Sequence, residues 1–276
     1  MRISTVKRTV VYVLLTIMSV LFLLPLVWMV RSSLMSLSQI FVMPPVWIPD
    51  PFKWGNFKEA LTVLPFNTFF MNTIIIVVLV LIGTVLSSTI AAFGFSRIQW
   101  RGRNAVFGIL LTAMMLPGAV TLIPTFLGWK SLGFYDTFVP LIVPAFFGGG
   151  IFNVFLLRQF YMTIPRDLDE AALVDGAGYL RIYYHVVLPL SRSAIIVISL
   201  FTFLGAWNDF FGPLIYLKST EKFTLALGLQ MFQGTYTSQW DLLMAASAAV
   251  VLPCVFVFLI GQKYFLEGIS LTGLKG

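Results

Sequence analysis

Six apolar stretches recur along the chain, separated by more polar connections of uneven length, at approximately residues 10–30, 69–93, 105–127, 137–160, 193–217 and 243–261. Hydrocarbon about 30 Å thick takes roughly 20 apolar residues of helix to cross. Inside lipid every backbone polar group must find its partner within the structure, so spans are helices or closed barrels. The runs here are continuous, without the alternating ten-residue segments of a barrel. The pattern predicts an all-α integral membrane protein of six transmembrane helices, a single transmembrane domain over residues 1–276. The first stretch is longer than a signal-peptide core and no small-x-small cleavage site follows it, so it reads as a retained span.

Several spans carry breakers. Pro117, Gly118 and Pro124 interrupt the third, Gly148, Gly149 and Gly150 the fourth, and Pro253 the sixth. Such residues kink helices where neighbouring protein or water re-satisfies the backbone. Packing through small residues accounts for each one singly, while breaks in three of six spans fit a bundle around an internal path. The 31–66 connection, with Pro44, Pro45, Trp47, Pro49, Pro51 and Trp54, is predicted to be an extended, packed loop.

Composition agrees. The mean hydropathy is +0.94 and only 11% of residues are charged, against about 25% in soluble domains. The net charge of +7 forms no stripe for nucleic acid; the basic residues flank the spans. With a cytoplasmic N-terminus, twelve of the eighteen lie on inner segments and six on outer ones, and Arg97, Arg101 and Arg103 form the strongest stop signal. Both termini and the 161–192 loop are then cytoplasmic.

No catalytic constellation is present. His185 is the single histidine and Cys254 the single cysteine, which leaves no metal cluster and no intrachain disulfide. Gly176 and Gly178 lack the third glycine and preceding strand of a dinucleotide fingerprint. The terminal GISLTGLKG has its lysine displaced from the phosphate-loop position, and no helix follows it. Nucleotide energy would have to come from a partner.

The 161–192 loop is the most polar long stretch and holds four of the eleven acids, Asp167, Asp169, Glu170 and Asp175. Asp167 with Glu170 has the form of a capping box, and acids suit a helix start. About two turns follow to Asp175, and Gly176 is placed to end them in the left-handed conformation. Ala171 and Ala172 leave the helix nearly bare, so another surface can approach its backbone. A second short helix, about 179–187, leads to Leu188 and Pro189, with the proline marking the break before the next span. An amphipathic loop lying on headgroups is the competing reading, disfavoured because clustered acids repel an anionic leaflet.

The string Glu170-Ala171-Ala172, then Gly176, then after nine residues Val186-x-Leu188-Pro189, resembles the EAA loop of inner-membrane permeases of ABC importers. Val186 stands where that pattern usually has isoleucine. The strings LLRQFYMTIPRDLDEAA, LGAWNDFFGPL and the terminal GLKG further resemble the carbohydrate-uptake branch, close to the smaller permease of maltose-type systems, over nearly the whole chain. The resemblance implies a non-catalytic subunit in a bacterial or archaeal cytoplasmic membrane. Its implied partners are a second permease, most simply as a heterodimer, two ATPases carrying ATP and Mg, and an extracytoplasmic solute-binding protein. The loop between the fourth and fifth spans would be the coupling helix, with Asp167, Glu170, Ala171, Ala172, Asp175, Gly176, Leu188 and Pro189 serving the ATPase contact. A tail ending in Gly273, Lys275 and Gly276 would enter the ATPase dimer.

Polar groups within spans are candidates for the solute path. Trp207 and Asn208 suit a sugar, an aromatic face for its C–H surface and an amide for its hydroxyls; Asn153 and Asn72 are further amides. Asp209 reads as an interfacial acid paired with Lys218 or a neighbouring helix, and Met114 and Met115 as core. A glycerol phosphodiester is the alternative solute. An intramembrane enzyme would need a paired nucleophile and base, and a secondary transporter would show repeats and more buried charges.

Overall fold

The computed structural model describes residues 5–234 and 238–273, with side chains from 6 to 264 apart from 235–237. Among the described residues, four helical stretches are long and apolar enough to cross a membrane: Val6–Ser33, Phe66–Ser96, Val139–Thr163 and Trp240–Tyr264. Two bent pairs pass the same test only when joined. Arg103–Ala113 meets Gly118–Ser131 at 95°, and Tyr179–Leu190 meets Arg192–Trp207 at 77°.

The first bend revises a straight expectation, whereas the second falls close to the break expected at Pro189. In place of a continuous 105–127 span, the chain breaks at Met114–Pro117: Pro117 is extended (ψ 133°) and the next helix opens at Gly118. Proline has no N–H to give the preceding turn and excludes the helical carbonyl there. The 193–217 span is also shorter than its apolar run, because Arg192–Trp207 stops at Asn208 and a separate helix, Phe211–Tyr216, follows. By contrast Pro124 and Pro253 lie inside continuous helices.

The fourth run is broken as its glycines suggest. A helical turn at Val139–Ile142 passes into a 3-10 turn at Val143–Phe146, and Ile151–Thr163 resumes beyond the glycines. Gly148, Gly149 and Gly150 all have positive φ, at 98°, 59° and 87°. Gly149 is also pressed on the second helix: a Cβ there would sit 2.6 Å from the Thr84 carbonyl oxygen and 2.9 Å from its Cα. Ser87 donates to the Ala145 carbonyl at 2.8 Å beside it.

The chain divides into two compact units. One comprises Met1–Phe66 and Gly228–Leu252. In it the 31–66 connection is packed only in part, with residues 50–55 and most of 37–48 exposed, and it carries a helix, Gly55–Val63, that its prolines concealed. Arg31 lies over the Trp28 ring at 4.3 Å and donates to the Val46 carbonyl, while Trp28 meets Trp47 edge-on at 5.9 Å. Buried Asn56 donates to the carbonyls of Ser33 at 3.0 Å and Met35 at 2.8 Å. These bonds satisfy carbonyls released where the first helix ends.

The other unit comprises Asn67–Leu227 and Pro253–Gly276. Its core gathers Phe93, Phe107, Leu157, Tyr161, Tyr183 and Ile198. Tyr183 donates to or accepts from Thr89 at 2.8 Å and packs against Phe93 at 5.3 Å. This core supports the polar 161–192 loop.

Candidate functional site

The helix Asp167–Val174 forms the predicted two turns, but its start differs from expectation. Arg166 holds the cap position with no side-chain cap bond, and its carbonyl accepts from the amides of Asp169 at 2.9 Å and Glu170 at 3.0 Å. The capping box is therefore not formed, since Asp167 is already the first helical residue. Asp167, Asp169 and Glu170 still place three acids in the first turn, against the positive end of the helix dipole.

The helix ends as its glycine predicts. Gly176, at φ 78°, donates to Leu173 at 3.0 Å and Ala177 to Ala172 at 2.9 Å. This reciprocal pair is the Schellman arrangement, which ordinarily carries an apolar contact across it. Here Ala172 and Ala177 both pack on the core. Only Ala171 of the two alanines is exposed, together with Glu170 and Asp175. Leu173 and Val174 also stay exposed, the latter at 88%.

Arg97, at the end of the Phe66–Ser96 helix, fixes this short helix from behind. Its guanidinium donates to the Asp169 carboxylate at 3.0 Å and to the Ile164 carbonyl at 2.9 Å. The Arg97 side chain is 3% exposed and that of Asp169 16%. Burial lowers the pKa of Arg97, and the Asp169 charge opposes that shift. Removing one partner of such a buried pair typically costs about 3–5 kcal/mol. With its amide turned to face them, Gln99 accepts from the two terminal nitrogens of Arg166 at 3.0 and 3.2 Å. A cavity of about 140 Å³ lies here, lined by Phe93, Arg97, Asp169, Glu170, Leu173 and Tyr179 among others. Arg97 Nε and Asp169 Oδ1 have no hydrogen-bond partner among the described residues.

Beyond Gly178 the chain forms Tyr179–Ile182, a π turn at Tyr183–Val187 and the short Leu188–Leu190. The Leu188 amide reaches back to the Tyr183 carbonyl. Pro189 falls inside this segment, and the bend comes two residues later at Ser191. Ser191 is buried and its hydroxyl donates to the Val187 carbonyl at 2.6 Å. Leu188 packs on the core, and Pro189 is exposed.

The polar span candidates do not converge. Trp207 is 2% exposed, stacked on Phe203 at 5.4 Å and edge-on to Phe70 at 6.2 Å, so its face is covered. Buried Asn72 donates to the carbonyls of Glu221 at 2.8 Å and Phe223 at 3.0 Å. Asn153 donates to Gly149 at 2.6 Å and Asn208 to Leu204 at 2.8 Å; Asn208 is exposed. Asp209 pairs with backbone instead of Lys218: it accepts from the Gly212 amide at 3.0 Å. Met114 and Met115 are exposed, 47% and 81%, and so are not core within this chain.

Asp209 and Thr202 instead share a cavity of about 200 Å³, with Thr73, Thr224, Leu141 and Pro213 among its walls and, among the described residues, no cationic side chain in its lining. The Thr202 hydroxyl is buried without a hydrogen-bond partner among the described residues. Sequence reading missed this cavity, because its walls come from positions separated by more than a hundred residues. It also missed Asp136, at φ 58°. The Asp136 carboxylate accepts from the amides of Lys218 at 2.9 Å and Ser219 at 3.0 Å, and from the Ser219 hydroxyl at 2.6 Å. Those bonds, led by the Ser219 hydroxyl, hold its pKa well below the usual carboxylate range.

Of the tail, Gly273 ends the described helix Trp240–Gly273; Lys275 and Gly276 lie outside the described residues.

The family described as "Binding-protein-dependent transport system inner membrane component" matches residues 83–270. The probable ABC transporter permease protein YurM of Bacillus subtilis is 30% identical over 275 residues, covering 98% of this chain and 90% of that protein. The arabinooligosaccharides transport system permease protein AraQ of the same organism is 32% identical over 207 residues, covering 75% and 73%. Among solved structures, a chain of a bacterial ABC transporter involved in the import of the acidic polysaccharide alginate superposes with a TM-score of 0.83 at 25% identity, covering 95% of this chain and 99% of that one.

Proposed function

The chain belongs to the family of binding-protein-dependent transport system inner membrane components, and from that membership we propose how this ABC importer permease couples and what it carries. It is a non-catalytic transport subunit embedded in the membrane. Asp167–Val174 is its coupling helix, lying between the fourth and fifth of six spans, with each bent pair counted as one crossing. Both termini and this helix are cytoplasmic, in keeping with the excess of basic residues on those segments. ATP and Mg belong to two partner ATPases; a second permease completes the path, and an extracytoplasmic solute-binding protein delivers the cargo.

The observation that carries this reading is the two-sidedness of the helix. One side is fixed to the fold by Arg97 and Ala172. The other leaves Glu170, Ala171, Leu173 and Val174 exposed. A short rigid peg with a free face transmits displacement; a loose loop does not. Shifting a two-state permease from 1:99 to 99:1 takes about 5.5 kcal/mol, which the ATPases must deliver through this contact.

The solute is a neutral sugar or oligosaccharide. The relative that handles arabinooligosaccharides supports the class, and the Thr202–Asp209 cavity, with an acid and no cation in its lining, favours a neutral polyhydroxyl over a phosphodiester. Of the amides, Asn208 and Asn153 are retained as path residues, while Trp207 and Asn72 serve packing. The test has two parts. Glu170→Lys should abolish co-purification of the ATPase with a folded permease pair; full retention with normal transport would refute the coupling assignment. Calorimetric titration of the cognate binding protein with neutral oligosaccharides and with glycerol phosphodiesters should give heat only with the former, and the reverse result would overturn the solute class.

A further inference from the structure

We propose that Arg97 is a positioning residue for coupling: its buried guanidinium locks the coupling helix to two membrane helices, so that all three move as one body. The inference rests on the coupling-helix reading above and adds to it a residue outside the EAA string. Three observations carry it. Arg97 stands one residue beyond the Phe66–Ser96 helix, its amide still bonded to the Phe93 carbonyl at 2.9 Å. One terminal nitrogen holds the Ile164 carbonyl, at the end of Ile151–Thr163, and the other holds Asp169 on the coupling helix. The planar guanidinium serves both acceptors at once with a fixed angle between them, which a lysine point charge does not reproduce.

The rest of the attachment leaves a gap that this residue fills. At its far end the coupling helix is held by the Schellman turn and by Ala172 and Ala177 on the core. At its near end no side chain caps it; Gln99 holds Arg166 just before the first turn, but the cavity beneath the helix, where Arg97 and Asp169 meet, leaves that end without continuous packing. A push on the exposed face at Glu170 or Val174 would therefore tilt the helix into this cavity unless the Arg97–Asp169 bond resisted. With the bond in place, the push goes into the second and fourth spans.

The experiment uses the assembled importer with its own ATPases, partner permease and binding protein, and reads two quantities. One is the stimulation of ATP hydrolysis by the binding protein. The other is the spin-label distance between Leu168→Cys, exposed on the same helix, and Arg101→Cys in a Cys254→Ser background. Arg97→Ala should keep the complex assembled, lower the stimulation by about fivefold or more and broaden the distance distribution. The double variant Arg97→Leu with Asp169→Leu leaves no unpaired charge, so it separates positioning from folding; it should broaden and uncouple likewise, while Arg97→Lys recovers only part of the stimulation. An Arg97→Ala or double-Leu complex with parental stimulation and an unbroadened distance would overturn the proposal. Glu170→Lys run alongside distinguishes the two failures. If it uncouples while the Arg97 variants do not, only the positioning role falls; if none uncouples, the coupling-helix reading falls with it.

Discussion

Lys222 binds Asp136 twice, through the carboxylate at 3.1 Å and through the backbone carbonyl. Together with Ser219 and the amides of Lys218 and Ser219, this ties the turn before Val139–Thr163 to the segment that follows Phe211–Tyr216. Because the carboxyl is held below its ordinary pKa, the unfolded chain takes up the proton first as acid is added. The stabilisation is therefore complete above about pH 4, the unfolded value for aspartate, and is lost as pH falls from there toward the folded value. Side-chain exposure of 22% moderates the size of the effect. Melting of the detergent-solubilised protein between pH 7 and pH 3 should show the gap between parent and Asp136→Asn closing on the acid side; a gap that widens in acid would contradict this.

Gly149 and Gly176 should respond differently to alanine, although both have positive φ. At Gly176 a Cβ meets nothing within 4 Å, so Gly176→Ala costs only the left-handed backbone, about 1–2 kcal/mol. At Gly149 the same strain is joined by backbone atoms of Thr84 closer than 3 Å. Gly149→Ala should thus lower the melting temperature clearly further, and Gly176→Asn should come close to the parent.

Trp207→Ala should act on stability rather than on solute affinity. Its ring is buried between Phe203 and Phe70, and emptying such a site costs about 3–5 kcal/mol. Trp207→Phe should recover most of the stability. Transport by the folded fraction of Trp207→Phe should keep the parental KM; a rise in KM without loss of stability would place the indole on the path.

Asn56→Leu leaves the Ser33 and Met35 carbonyls without their donor. Leaving buried acceptors unpaired costs about 1–3 kcal/mol. Limited proteolysis should then cut within residues 34–55 at several times the parental rate, with the second span unaffected.

What could be read in advance follows the range of the interactions. The long runs at 10–30 and 69–93 became helices within a few residues of their ends, and 243–261 lies inside the longer Trp240–Gly273, because lipid forces local backbone pairing. Gly176 ended its helix because a left-handed cap needs only its own neighbours. Asp136 and the Thr202–Asp209 cavity were silent, since their partners lie 82 residues or more away along the chain in the first case and on several spans in the second. The capping box misled for a subtler reason. Asp167 had the right spacing to Glu170, yet the Arg166 carbonyl already served the first turn, so the helix started one residue early. The amphipathic Gly55–Val63 helix was masked by the prolines preceding it.

The right-angled break at Met114–Pro117 limits how the Arg103–Ser131 pair can move. Its two arms, 11 and 14 residues long, reach about 16 and 21 Å at 1.5 Å per residue, each short of the hydrocarbon it would traverse. A rod can slide lengthwise as a piston; an elbow with two short arms cannot, and it accommodates movement by opening or folding its joint.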